Sequence, residues 1–194
     1  MPSSYSHFKH SKNQFFIGLI CLILFNQCNQ SSDRYENSNT DGSGQSKSQA
    51  FWNSASSTFQ KITLSDSAIV RNIQWNQELS SVNEKIELSE TQPDNGKSYS
   101  LYLDDSDLNF VDIVYNTNKE NKIIQIVFDI YVEDKLESNK LISEFETYFQ
   151  LKYGHKTTKG KTLRWEAKNN TRIEMEDVST SKDPGIKLIY TLKD

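Results

Sequence analysis

The chain has 194 residues, with 22 basic side chains against 26 acidic ones and a formal net charge of −4. That length fits one folded domain. The acidic balance removes nucleic acid as a partner, because a phosphate backbone demands a basic face.

The N-terminus opens with His7, Lys9, His10 and Lys12 and no acid, followed by an apolar run of 11 residues from Phe15 to Phe25. As a helix this run reaches about 16 Å, roughly half of the ~30 Å hydrocarbon core of a bilayer. A basic stretch before a short apolar one is the layout of an export signal rather than of a membrane span. The run closes at Leu24-Phe25-Asn26-Gln27-Cys28. This resembles the signal of a bacterial lipoprotein with a relaxed lipobox, Gln27 standing where a small residue is usual. The resemblance implies that residues 1–27 are a signal peptide and that lipidation falls on Cys28. It implies a lipid-anchored place in the bacterial cell envelope, and Asn29, where an aspartate would retain the chain on the inner membrane, points to the outer membrane. One acyl chain anchors only marginally, so two or three on one cysteine are what a firm membrane contact needs. Removing residues 1–27 takes away Lys9 and Lys12 and leaves a balance of −6, 20 basic residues against 26 acidic, with Cys28 as the only remaining cysteine. An internal disulfide is then impossible although the compartment permits one.

Residues 28–50 are rich in Ser, Asn, Gln and Gly, with Tyr35 the single aromatic. They offer too little apolar surface to offset the entropy of ordering and read as a flexible tether. The folded domain is expected over 51–194. Its first part, 51–68, shows no dominant period. Val70 to Ile73 reads as a short strand. Trp75, Leu79, Val82 and Ile86 are spaced as one helical face, which predicts a helix over 77–89, ended by the turn residues of Thr91-Gln92-Pro93-Asp94-Asn95-Gly96.

Three strands are predicted next. In the first, Tyr99, Leu101 and Leu103 alternate with Ser100 and Tyr102; in the second, Val111, Ile113 and Tyr115 alternate with Asp112. The third, Ile123 to Val132, has Ile124, Ile126, Phe128, Ile130 and Val132 on one face, with Gln125, Val127, Asp129 and Tyr131 on the other. A long helix follows, with Asp134 as its cap, Glu137 at capping-box spacing, an apolar stripe of Leu141, Ile142, Phe145, Tyr148 and Phe149, and Gly154 at its end. Three more strands close the chain, carrying Leu163 and Trp165, then Ile173 and Met175, then Ile186, Leu188 and Tyr190 inward. The fold class is therefore α+β: a two-layer domain, a twisted antiparallel sheet with two helices on one face, in an order that suggests tandem αβββ units.

The sequence Ile73-Gln74-Trp75, the helix ending Lys152-Tyr153-Gly154, and the strands holding Arg164-Trp165, Thr171-Arg172-Ile173-Glu174-Met175 and Ile186-Lys187-Leu188-Ile189-Tyr190 resemble small α+β domains of bacterial envelope lipoproteins. The layout is also similar to beta-lactamase-inhibitor-like and outer-membrane-assembly lipoprotein modules. The resemblance covers about residues 70–192 and implies a binding domain; its motifs are structural and transfer no catalytic residue.

Chemistry-bearing patterns are sparse. His155 is the one histidine after the leader and sits at a helix end without partners, where a solvated side chain is the plain reading. No nucleophile elbow, phosphate loop or zinc spacing occurs. Asp105, Asp107 and Asn109 have the alternating oxygens of a calcium loop, but Phe110 and Asn116 stand where that loop needs Gly and Glu, so an acidic turn without metal is expected. Asp112 and Asp129 are a candidate carboxylate pair of the kind hydrolases use. Trp75 and Trp165 read as core anchors. No cofactor is called for. Two functions follow from this: a membrane-anchored protein-binding or scaffold module with an envelope protein as partner, or a secreted or periplasmic hydrolase-like enzyme using acids on the sheet face. For the first, Tyr102, Val127, Tyr131 and Ile189 share the outward phase and form the expected partner-binding patch. The competing expectation is that 51–64 folds over them. Arg164, Glu166, Arg172, Glu174 and Glu176 share the outward phase of the second half as a charged ladder.

Overall fold

The computed structural model describes residues 45–193. Cys28, the expected signal peptide 1–27 and most of the expected tether 28–50 lie outside them.

Two short helices come first, α1 (Lys47–Ser54) and α2 (Ser57–Thr63). Each starts on a serine. Ser46 Oγ accepts from the Gln49 N–H at 3.1 Å and Ser56 Oγ from the Phe59 N–H at 3.2 Å, which satisfies donors that a helix start leaves open. Helix α1 thus begins ahead of the expected domain start at 51.

The helix expected over 77–89 does not form. The segment holds a single 3-10 turn at Leu79–Ser81 and a two-residue strand, β1 (Glu87–Leu88). Its backbone groups bond across space instead of along a helix. The Asn76 and Leu79 N–H groups donate to the carbonyls of Ile123 and Asn121, and the Ile123 N–H donates to the Gln77 carbonyl, each at 3.0 Å. Asn76 itself has φ 62°, a left-handed conformation that suits Asn, and Ser80, Ser81 and Asn83 are weak helix formers. The apolar spacing was still informative about burial: Val82 is buried, and Trp75, Leu79 and Ile86 pack partly against the core. Ahead of this segment, Val70 to Ile73, expected as a short strand, makes only an isolated bridge between its two ends.

The remaining elements are β2 (Gly96–Tyr102), β3 (Phe110–Thr117), β4 (Ile123–Tyr131), α3 (Lys135–Tyr153), β5 (Thr157–Lys159), β6 (Thr162–Glu166), β7 (Thr171–Asp177) and β8 (Gly185–Leu192). All eight strands join one antiparallel sheet in the order β1-β2-β3-β4-β8-β7-β6-β5. The chain is therefore an α+β mix of one antiparallel sheet and three helices. Two runs of four sequential strands meet where β4 pairs with β8. Gly96 opens β2 because a Cβ there would run into the Tyr115 carbonyl of the neighbouring strand.

Strand phases follow the alternation, with one exception. Val111, Ile113, Tyr115, Phe128, Trp165, Ile173, Ile186 and Leu188 are wholly buried. At the start of β4 the register slips, Asn116 facing Gln125 while Thr117 faces Ile123. One extra residue is thereby accommodated as a bulge. Ile123, expected outward, is buried, and Ile124, expected inward, is only partly covered.

Helix α3 lies against the inward face. Phe149 meets Trp165 at 5.1 Å and Tyr190 at 6.0 Å between ring centroids, and Phe59 of α2 meets Phe145 at 5.0 Å and Tyr148 at 5.3 Å. The reading in which 51–64 covers the outward face is thus overturned: Phe59 is drawn into the aromatic contacts of α3, where it is fully buried. Asp134 caps α3 by accepting from the Leu136 N–H at 2.8 Å. Glu137 does not complete a capping box; it accepts from the Thr58 hydroxyl instead.

Candidate functional site

The outward face of the sheet is organised in rows, because antiparallel register stacks cross-strand partners side by side. The first row is Tyr102, Phe110, Tyr131 and Gly185. The second is Ser100, Asp112, Asp129, Lys187, Glu176 and Thr162. The third is Ser98, Val114, Val127, Ile189, Glu174 and Arg164.

This register divides the expected partner patch. Tyr102 and Tyr131 belong to the first row and are linked through Phe110, whose ring stacks on Tyr131 at 4.8 Å and lies 6.3 Å from Tyr102. Val127 and Ile189 face each other in the third row with Val114 beside them. Tyr131 and Val127 are four residues apart on β4, about 13 Å along the strand, and the polar second row runs between them. The four residues do not make one contiguous apolar surface. Tyr102 and Tyr131 share an aromatic row, and Tyr131 lines a cleft at its end; Val127 and Ile189 lie away from both.

The first row opens onto a cleft of about 650 Å³, within the ~300–1,000 Å³ range of ligand sites. Leu108, Phe110, Tyr131, Val178, Pro184 and Gly185 provide its apolar lining. Several large apolar side chains remain exposed here: Tyr102 at 41 %, Leu108 at 58 %, Tyr131 at 38 % and Val178 at 42 %. Gly185 ends the row without a side chain. A Cβ at that position would stand 3.4 Å from Val178 and 3.9 Å from the Tyr131 ring, so the missing side chain keeps the cleft open between them.

Both walls are tied in place. On one side, the β2–β3 loop carries Leu108. Asn109 fixes it, since its side-chain oxygen accepts from the Glu133 N–H at 2.7 Å and its amide donates to Asp104 at 2.6 Å. Asp104 also accepts from the Ser106 N–H and hydroxyl. These hydrogen bonds, Ser106 first and then Asn109, hold the Asp104 carboxyl below its usual range. Of the three side chains that resembled a calcium loop, only Asn109 is held by these bonds; the carboxylate that organises the turn is Asp104, outside that pattern. On the other side, the β7–β8 loop carries Val178. Ser179 accepts from the Gly185 N–H at 3.0 Å, and its own N–H donates to Asp177 at 3.0 Å. Lys135 donates to both Asp177 and Ser179. The Ser179 hydroxyl and backbone, aided by Lys135, keep the Asp177 carboxyl low.

Asp112 and Asp129 are direct cross-strand partners in a shallow groove of about 440 Å³ below the 89–93 segment. Like charges placed opposite each other are costly, and each has its own compensation. Ser100 donates to Asp112 at 2.8 Å, and Lys187 lies 3.0 Å from Asp129. The neighbouring Tyr131 hydroxyl is pushed up, first by burial, then by the charges of Asp129 and Asp112. Elsewhere on this face the charges pair among themselves: Arg164 with Glu174 at 3.0 Å and Arg172 with Glu166 at 3.0 Å. His155 is exposed, and among the described residues no group of three or more His, Cys, Asp and Glu side chains is arranged to hold a metal ion.

Two buried polar networks were not anticipated from sequence. Arg71 holds Glu84 through two nitrogens at 2.8 Å and donates to the Lys61 and Ile62 carbonyls at 2.9 Å, while the Tyr115 hydroxyl also donates to Glu84. Asp66 accepts from Tyr148 at 2.7 Å and from Ser48 at 3.1 Å, with Lys152 3.3 Å away. Every charge in them has partners, so they tie the 61–84 segment to the core rather than offer chemistry.

The fold and these sites define an α+β domain with a preformed cleft at one end of its outward face. Comparison with known proteins finds no matching family model, no similar curated protein and no similar solved structure.

Proposed function

We propose that this chain is a membrane-anchored bacterial lipoprotein whose α+β domain is a protein-binding or scaffold module of the cell envelope. The observation that carries the binding role is the exposed row Tyr102–Phe110–Tyr131 beside a cleft whose two walls are hydrogen-bonded in advance. Aromatic rings at a preformed concave surface supply contact area with little ordering cost. The anchor and the outer-membrane address rest on the sequence, on the short apolar run ending at Cys28 and on Asn29. Among the described residues no helix is long and apolar enough to cross a membrane. The contacts of α2 and α3 with each other and of α3 with β6 and β8 favour reading the fold as two layers with the helices on one face. The expected αβββ units are not matched in detail, since the helix of the first is absent and each run holds four strands; the meeting of the two runs at β4 and β8 is what favours a tandem reading.

Two experiments test this. Cys28→Ser is expected to release the chain from membranes or leave it as precursor, and unchanged detergent partitioning would refute the anchor. Photo-crosslinkers at positions 102 and 131 in cells are expected to capture one recurring envelope protein. Crosslinks only within the chain would refute the binding role.

The enzyme reading has one observation in its favour, the opposed carboxylates Asp112 and Asp129 in a groove. Its test is hydrolysis of glycoside and ester substrates that is lost on Asp112→Asn. The Ser100 and Lys187 partners of the two acids make a structural role sufficient for them.

A further inference from the structure

The proposed binding role leaves open what chemistry the cleft recognises, and its charges are lopsided. Glu133 and Asp183 line it. Asp104, Asp105 and Asp107 lie on the loop that carries Leu108, the loop that Asn109 clamps to the Glu133 N–H. None of these carboxylates is in an ion pair among the described residues, in contrast to Asp129, Glu166, Glu174 and Asp177 elsewhere at the sheet. The cations nearby are Lys182, in the lining, Lys61, which donates to the Leu103 carbonyl at 3.1 Å, Lys135, engaged by Asp177 and Ser179, and Lys187, paired with Asp129. The floor of the cleft is aromatic. The cation–π contacts among the described residues are those of Lys152 with Tyr148 and Tyr153, so the faces of Phe110 and Tyr131 carry no cation from the described residues.

Aromatic faces attract cations through their quadrupole, and a carboxylate rim raises the local concentration of positive charge. Resting on the binding-module reading above, we infer that the cleft takes a basic, partly apolar peptide segment, with an Arg or Lys side chain over the Phe110–Tyr131 stack and apolar side chains against Leu108 and Val178. A segment fits better than a lone small cation because the acidic groups are spread over both walls. Glu133 lines the cleft just past the end of β4 and Asp183 lines it from the β7–β8 loop, while Asp104, Asp105 and Asp107 belong to the loop that brings in Leu108, so at least two positive side chains are needed to answer Glu133 and Asp183. Gly185 gives the segment room beside Tyr131.

The test is a hexapeptide array in three classes (basic-apolar, neutral-apolar and acidic-apolar) probed with the full chain, followed by titration of the best binders and of phosphatidylcholine vesicles. The expected result is enrichment of the basic class, affinity that falls as salt is raised, and a loss of about tenfold or more on Tyr131→Ala. The double variant Glu133→Gln with Asp183→Asn keeps the apolar lining and is expected to weaken binding several-fold at an unchanged melting temperature, which separates recognition from unfolding. Preferential capture of neutral or acidic peptides that still depends on Tyr131 would overturn the basic-segment inference while leaving the binding role intact. Vesicle binding that depends on Tyr131 with no peptide binding would overturn it in favour of a cationic lipid headgroup. Absence of binding to every class would overturn the inference and count against a peptide-binding role altogether.

Discussion

The molecule holds two aromatic clusters of similar ring spacing and opposite fate. The inner one joins Phe59, Phe145, Tyr148, Phe149, Trp165 and Tyr190, all at most 2 % exposed. The outer one joins Tyr102, Phe110 and Tyr131, with rings 4.8–6.3 Å apart and two of them about 40 % exposed. Ring contact alone does not distinguish them. What differs is the second layer: α3 and α2 close the first cluster, while nothing in the described chain closes the second. The inner cluster therefore holds the fold together, and the outer one is available to something else. Substitutions and pH separate the two.

The largest contrast is expected at high pH. Tyr115, Tyr148 and Tyr190 on the inner side have their hydroxyls pushed well above the ordinary tyrosine value. Burial is the main cause, followed for the first two by the charges of Glu84 and Asp66. In the unfolded chain tyrosines ionise near pH ~10. Above that, the folded state holds protons that the unfolded state has lost, so stability falls as pH rises. Below pH ~10 both states are protonated and the three tyrosines contribute no slope. Lys152 acts with the opposite sign. Burial lowers its value against the raising effect of Asp66, so it adds stability as pH rises through its window, but it has no further effect once the unfolded lysine is itself neutral, above about 10.4. Beyond that point three tyrosines give a slope of about 4 kcal/mol per pH unit. Denaturant titrations between pH 9 and 11 read this directly, and a flat profile would mean that these hydroxyls are not buried.

Trp165→Ala is next, expected to cost about 3–5 kcal/mol. The indole N–H finds no acceptor among the described residues, so its contribution is volume and contact with Phe149. Tyr131→Ala removes a smaller, 38 % exposed ring from the outer cluster and is expected to cost less, about 1–2 kcal/mol for its stacking and partial burial. Thermal melts of the two variants side by side test the comparison, and equal losses would show that the outer cluster is part of the core.

Much of the inner cluster was legible because it lies on long periodic elements. The α3 stripe and the alternation of β3, β4, β7 and β8 each repeat a pattern often enough to fix a phase. The site was legible by half. Tyr102 and Tyr131 have outward phase in their own strands, but which outward residues adjoin depends on register, and register is a long-range property. Phe110 opens the second predicted strand, where a first residue gives little sign of its face, and Gly185 has no side chain to read, yet these two complete the row. Val127 and Ile189 had the right phase and the wrong place. The bulge at Ile123–Ile124 was hidden because one extra residue leaves no mark in an apolar run. The missing helix at 77–89 had correct apolar spacing, but its backbone partners lie more than forty residues downstream, around Asn121–Ile123. Helix α1 did carry a signal, Ser46-Lys-Ser-Gln49, the spacing of a helix start.

The smallest effect is expected on the charged half of the outward face. Arg164 and Glu174 face each other across β6 and β7 and bond at 3.0 Å, with side chains about one quarter exposed. Water competes for both groups and salt screens them, so Arg164→Ala is expected to cost about 0.2–1 kcal/mol, less at high salt. Glu174 loses one partner but stays wet, unlike the buried Glu84, which without Arg71 would keep only the Tyr115 hydroxyl and no opposite charge among the described residues. The same substitution is expected to leave peptide binding at the Tyr131 cleft unchanged, because it lies two rows along the sheet and four strands across from Phe110. Melting curves at low and high salt measure the first effect and peptide titration the second. A loss of several kcal/mol, or a change in peptide affinity, would mean that the two halves of the outward face act as one surface rather than as a solvated ladder beside a binding cleft.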